Sequence, residues 1–217
     1  MRKHQSTAVI VMAALIGTWI LASEWRLGAA PGASLIDALV WGAEREVDRT
    51  AYAAPLRAEI DAHHRRFQAY RSRRPKPPGA SGLESMVYEA KVRYERRLVA
   101  VSAAPEASEL ALAYVSELRP CYEWEGFHDC PEREATFAAA YQAAHSGGPF
   151  SHYLPLLEAH RWLCTAEAYD YEKSPTEAGR ARRSYDTALT VARQSASRLV
   201  RTAAEELATR GSCFAGQ

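Results

Sequence analysis

The chain has 217 residues, enough for one ordinary domain plus a tail. Its 47% apolar and 24% charged content excludes a collagen-like, low-complexity or wholly disordered chain, and its 27 basic and 26 acidic residues nearly cancel, which excludes bulk attraction to nucleic acid. Forty-one residues are alanine, the best helix former, so the composition points to an all-α protein and is silent about activity.

The N-terminus reads as an export signal. Arg2, Lys3 and His4 form a basic head, Ala8 to Ala22 is an uninterrupted uncharged run, and Glu24 and Arg26 end it. No cleavage site is good. A cut after Ala22 places Ile20 at −3, a cut after Ser23 places Leu21 there, and a cut after Ala30 is followed by Pro31. The run spans about 22 Å as a helix against a hydrocarbon core of about 30 Å, with Trp19 and Trp25 placed to sit at the interface. The reading is an uncleaved single-pass signal anchor through residues 8–22, with a cleaved peptide and a secreted or periplasmic product as the alternative. Either way the rest of the chain lies outside the cytoplasm, with 25 basic and 26 acidic residues.

Residues 23–82 read as a tether. Gly28, Pro31 and Gly32 open it, followed by apolar Leu35, Ile36, Leu39, Val40 and Trp41 with Ser34 as a helix cap. Glu44 to Arg74 is helical by the spacing of Val47, Tyr52, Leu56, Ile60, Phe67 and Tyr70, with Pro55 ending or kinking a first helix near Ala54. Arg65, Arg66, Arg71, Arg73, Arg74 and Lys76 form a basic stretch, either a solvated helix end or a surface for an anionic partner. Pro75 to Gly82 is the clearest linker and marks a domain boundary.

Residues 83–217 read as an all-helical domain. Helices are expected over Leu83 to Val101, from Pro105 to about Leu118, and over Glu132 to His145 behind Pro131. Two more follow: Phe150 to Glu172, and one from Glu177, capped by Thr176, toward Arg210. The last is broken near Gln194 to Ser197 and ended by Gly211. No segment longer than four residues alternates like a strand.

Trp162, Ala166 and Tyr169, then Ala181, Tyr185 and Ala188, match the two-helix pattern of small residues at helix contacts and aromatics beside them. Trp162 to Ala188 thus resembles one tetratricopeptide repeat. The resemblance implies a helical hairpin with a protein-binding or scaffolding role. It covers about 30 residues without a second copy, its turn is about three residues longer than the family's, and Arg193 stands where the closing proline belongs. An alanine-rich antiparallel helix pair produces the same pattern by packing alone.

Cys121, Cys130, Cys164 and Cys213 all lie beyond the export signal, so two disulfides are expected. Cys121 with Cys130 closes a short loop. Cys164 with Cys213 then requires the last helix to fold back near Gln194 to Ser197. Four-cysteine zinc is disfavoured because the nearest pair has eight residues between.

Between the first pair lie Tyr122, Glu123, Trp124, Glu125, Gly126, Phe127, His128 and Asp129. Trp124 and Phe127 either plug the core or stack on a peptide or sugar. Glu123, Glu125, His128 and Asp129 either are solvated or ligate a cation, and the carboxylates alternatively serve glycoside hydrolysis. The binding candidates are Tyr122, Glu123, Trp124, Glu125, Phe127, His128 and Asp129, helped by the hairpin groove near Tyr169 and Tyr185. His63 and His64 beside Asp61 read as surface. No P-loop, dinucleotide, nucleophile-elbow or zincin motif occurs, and no catalytic residue, metal or cofactor is assigned. The expected function is an exported or membrane-anchored interaction module with a protein or envelope-polymer partner and no nucleic acid. The alternatives are a cell-wall or glycan-acting enzyme and a structural envelope protein without ligand.

Overall fold

Prolines and serines set where the helices start. The structure is a computed structural model that describes residues 34–42, 47–73, 82–118, 121 and 126–213. Within these residues lie eight α-helices and one 3-10 turn, Arg49–Ala51, and no strand. The helices are α1 Leu35–Val40, α2 Ala54–Arg73, α3 Gly82–Val101, α4 Ala107–Glu117, α5 Asp129–Ala144, α6 Leu154–Tyr171, α7 Pro175–Arg193 and α8 Arg198–Arg210. The all-α expectation holds. None of the described helices is long and apolar enough to cross a membrane. The anchor assigned to residues 8–22 and most of the linker at 75–82 lie outside the described residues.

Pro55, Pro131, Pro155 and Pro175 all occupy the first turn of a helix. A proline there removes an N–H that has no intrahelical partner anyway. Pro55 therefore starts α2 where it was expected to end a helix, and α7 begins at Pro175 ahead of the expected Thr176 cap. Ser34 and Ser197 cap α1 and α8 through their side chains, and Gly211 ends α8 at φ 62°, a left-handed position that favours glycine.

The tether reading does not describe residues 34–73. Leu35, Ile36, Leu39 and Val40 are 0% exposed, and residues Ala33–Gln217 form one compact unit. A six-residue helix cannot bury itself, so α1 lies against α8, where Glu206 accepts the Ile36 N–H at 3.1 Å and Arg210 pairs with Asp37 at 2.7 Å. In α2, Leu56, Ile60, His63, Phe67 and Tyr70 are buried at alternating spacings of four and three, the face of a helix laid on a neighbour. Arg66, from the basic stretch, donates to the carbonyls of Ala100 and Val101 at 2.9 and 3.3 Å and so closes the end of α3.

His63 belongs to that buried face and not to the surface. Its Nε2 is buried without a partner, and desolvation, helped by Arg66 and His64, pushes its pKa down to about 4. The folded value lies below the unfolded one, about 6.5, so the unfolded chain binds the extra proton between them. Stability from this group is complete above pH 6.5 and falls as pH drops toward 4. Lowering pH from 7 to 4.5 is expected to cost about 2–3 kcal/mol through His63. Urea unfolding of the native chain and His63→Phe at both pH values checks this, since the variant keeps every other titration. Equal losses in the two proteins refute it.

The closest pair is α6 with α7, joined by three residues, and α5 and α8 pack on either side of it. Ala159, Ala166, Ala178, Ala181, Ala188, Ala192, Ala203 and Ala204 are buried in these contacts. Small side chains let helix axes approach closely, so much of the alanine excess serves packing as well as propensity.

Candidate functional site

The end of the 122–129 loop is clamped onto the α6–α7 hairpin. The His128 backbone N–H donates to Glu172 Oε1 at 3.0 Å, and its Nδ1–H donates to Glu172 Oε2 at 2.6 Å. The His128 ring stacks on Tyr169, with centroids 4.2 Å apart and planes 18° apart. Tyr169 donates to Glu132 Oε2 at 2.6 Å, and Arg180 binds Glu132 Oε1 at 3.0 Å. One carboxylate at the end of α6 and one in the first turn of α5 thus join the loop, α5, α6 and α7. Burial first, then the bond to Glu132, pushes the Tyr169 phenol up to about 12, so it stays a neutral donor at physiological pH.

Phe127 precedes this clamp and is 52% exposed, so its ring does not plug the core. Gly126 sits at φ 94°, a conformation that a side chain would strain. Asp129 opens α5 and is exposed. Tyr122, Glu123, Trp124 and Glu125 lie outside the described residues. Of the expected loop residues, then, His128 meets the hairpin edge at Tyr169, with Phe127 and Asp129 on either side of it in the chain, while Tyr185 leans on the main core. Glu172 and Arg180 have no signal in the sequence. They are 44 and 52 residues beyond His128, and only the α6–α7 turn brings them to it.

The second cluster is internal. Cys164 and Cys213 form a disulfide across a sequence separation of 49, with Cα atoms 4.9 Å apart. The required fold-back occurs at residues 194–197, between α7 and α8. Arg210 donates to the Ser212 and Cys213 carbonyls, each at 2.9 Å, and Glu167 accepts the Cys213 N–H at 2.9 Å, so the tail is held by polar bonds as well. Next to the disulfide, His160 is fully buried. Its Nε2–H donates to the Cys213 carbonyl at 3.1 Å, and its Nδ1 accepts from Arg161 at 3.1 Å. Desolvation and the Arg161 and Arg210 guanidiniums keep this imidazole well below its usual pKa, hence neutral.

Arg161 also binds Glu134, which accepts from Tyr114, and the Arg161 guanidinium lies 4.3 Å over the Trp41 ring. Nearby, Tyr94 stacks on Tyr114 at 3.9 Å and Arg97 bonds the Val40 carbonyl. Although His160, Cys164 and Cys213 place ligand atoms within 4.8 Å of one another, the sulfurs are bonded together and both imidazole nitrogens are engaged. Two facing guanidiniums make the surroundings unfavourable to a cation. The cluster fits a structural role.

Cys121 and Cys130 were expected to form a disulfide, and here they are thiols, both buried and hydrogen-bonded to each other. Comparison of the chain with protein-family models, with curated proteins and with solved structures finds no match.

Proposed function

We propose that the chain is an exported or membrane-anchored helical interaction module of the cell envelope. Residues 8–22 anchor it or direct its export, and it docks a protein or envelope-polymer partner through the face formed by Phe127, His128 and Tyr169. Phe127 carries the reading: a large apolar ring is half-exposed on a loop end that Glu172 and Tyr169 already hold, so binding there costs little ordering. The Trp162–Ala188 hairpin, with its tetratricopeptide-like pattern, forms the supporting wall, since Ala166, Tyr169, Ala178 and Ala181 pack as one cluster with Trp162 against it. The Cys164–Cys213 bond supports an oxidising compartment. The glycan-acting alternative rests on Glu123, Glu125 and Asp129; Asp129 is exposed in the first turn of α5, and the nearby Glu132 and Glu172 are committed to Tyr169, Arg180 and His128.

The test places a photoreactive residue at Phe127 in the full chain, in its own cells, with Leu112 as a control that is 56% exposed on α4. A discrete adduct from Phe127, found in the membrane or extracytoplasmic fraction and lost in His128→Ala, is the expected result. Equal adducts from Leu112, or none from either position, overturn the docking face and favour a structural envelope protein. A purely cytoplasmic chain overturns the location.

A further inference from the structure

The four cysteines occupy two unlike environments. Cys164 and Cys213 are 0% exposed, already bonded, and enclosed by His160, Glu167 and Arg210. Cys121 and Cys130 are each 7% exposed and unbonded, and both belong to the main core. Cys121 sits in a single turn beyond α4, its N–H donating to the Leu118 carbonyl at 2.8 Å. Cys130 lies in the first turn of α5, one residue from exposed Asp129. Their side chains are hydrogen-bonded, so the sulfurs are in contact before any bond forms. The segments that follow α4 and open α5 thus bring two unbonded thiols together in one place.

We propose that Cys121 and Cys130 form a redox-active dithiol, a modification site that a disulfide compound oxidises to a second cystine while Cys164–Cys213 stays bonded. One sulfur attacks the donor disulfide RSSR, forming a mixed disulfide and expelling one thiolate, which takes the proton of the attacking thiol. The second sulfur attacks the protein sulfur of that mixed disulfide, expelling the second thiolate, which takes the second proton. The dithiol loses two electrons, and RSSR is reduced to two RSH. Burial pushes both thiols up, Cys130 the further, so little thiolate is present at neutral pH. The pair consequently tracks the ambient redox poise slowly and is not built for rapid turnover. The couple is defined by two sulfurs in one molecule, so its midpoint does not depend on a partner protein.

The experiment equilibrates the purified full chain in a series of reduced and oxidised glutathione mixtures, quenches with acid, alkylates differentially and maps peptides by mass spectrometry. The expected result is a linked Cys121–Cys130 peptide that appears and disappears reversibly. Its midpoint should lie at a glutathione ratio at least tenfold more oxidising than that of Cys164–Cys213. Cys121→Ser and Cys130→Ser should each retain one glutathione at the remaining sulfur, whereas the native chain retains none. Coincident midpoints overturn the proposal, as does failure of the linked peptide to form in oxidised glutathione, or a cross-pairing such as Cys121 with Cys164. The titration of the native chain decides these outcomes even if a serine variant fails to fold.

Discussion

Replacing Cys164 and Cys213 together by alanine is expected to lower the stability of the folded unit by about 4 kcal/mol. The bond closes a ring of about 50 residues, and the loop-entropy relation gives about 4 kcal/mol for that length. For a unit of this size the loss corresponds to a fall of about 10 °C in Tm. Two features make the site depend on the bond. Ser212 and Cys213 lie beyond the end of α8, and His160 keeps its neutral tautomer by donating to the Cys213 carbonyl. Urea denaturation with and without a strong reductant checks the figure. The native chain should lose the difference on reduction, and the variant should be insensitive. A gap below about 1 kcal/mol between the oxidised native chain and the variant counts against a stabilising role.

Replacing Glu134 by alanine is expected to cost about 3–5 kcal/mol, the range for removing one partner of a buried ion pair. Glu134 accepts from both Arg161 and Tyr114, and Arg161 is 4% exposed. Without the carboxylate, the guanidinium keeps the Trp41 ring and the His160 nitrogen but loses its counter-charge, and the Tyr114 hydroxyl loses its acceptor. A charge left in the interior is worse than no charge. The double variant Glu134→Leu with Arg161→Met should therefore be less destabilised than Glu134→Ala alone. Denaturant unfolding of the three proteins decides it, and a double variant at least as unstable as the single one contradicts the ion-pair account.

The polar interior also explains which features were legible in the sequence and which were not. Alternation of small and aromatic residues from Trp162 to Ala188 revealed the α6–α7 hairpin, because both faces of that contact are written within one stretch of chain. Gln194 to Ser197 was legible as a break, since Ser197 caps α8. That break in turn made the Cys164–Cys213 bond readable. Arg210–Asp37 and Glu206–Ile36 were not readable, because their partners lie 173 and 170 residues apart. Without them, the apolar run at 35–40 looks like a sticky tether.

His63 shows the same limit on a smaller scale. Two adjacent histidines beside an acid suggest surface, yet the four-three spacing of Leu56, Ile60, Phe67 and Tyr70 has a gap that His63 fills. At the candidate site, the aromatic and acidic composition of the 122–129 loop drew attention to His128 and Phe127. The carboxylate that holds His128 comes from the far end of α6.

By itself, the sequence determined the helical class, the cap at Ser34, the stop at Gly211 and the cysteine count of this protein. Alanine content, prolines and capping residues act within about four residues, and that range is enough to start or stop a helix. The tertiary structure alone decided which faces meet, and it buried α1, His63 and Arg161. It also placed Glu172 against His128, left Phe127 half-exposed and separated one sealed disulfide from one pair of buried thiols. Those outcomes depend on area buried and charges paired between segments far apart in the chain, which local propensity does not encode.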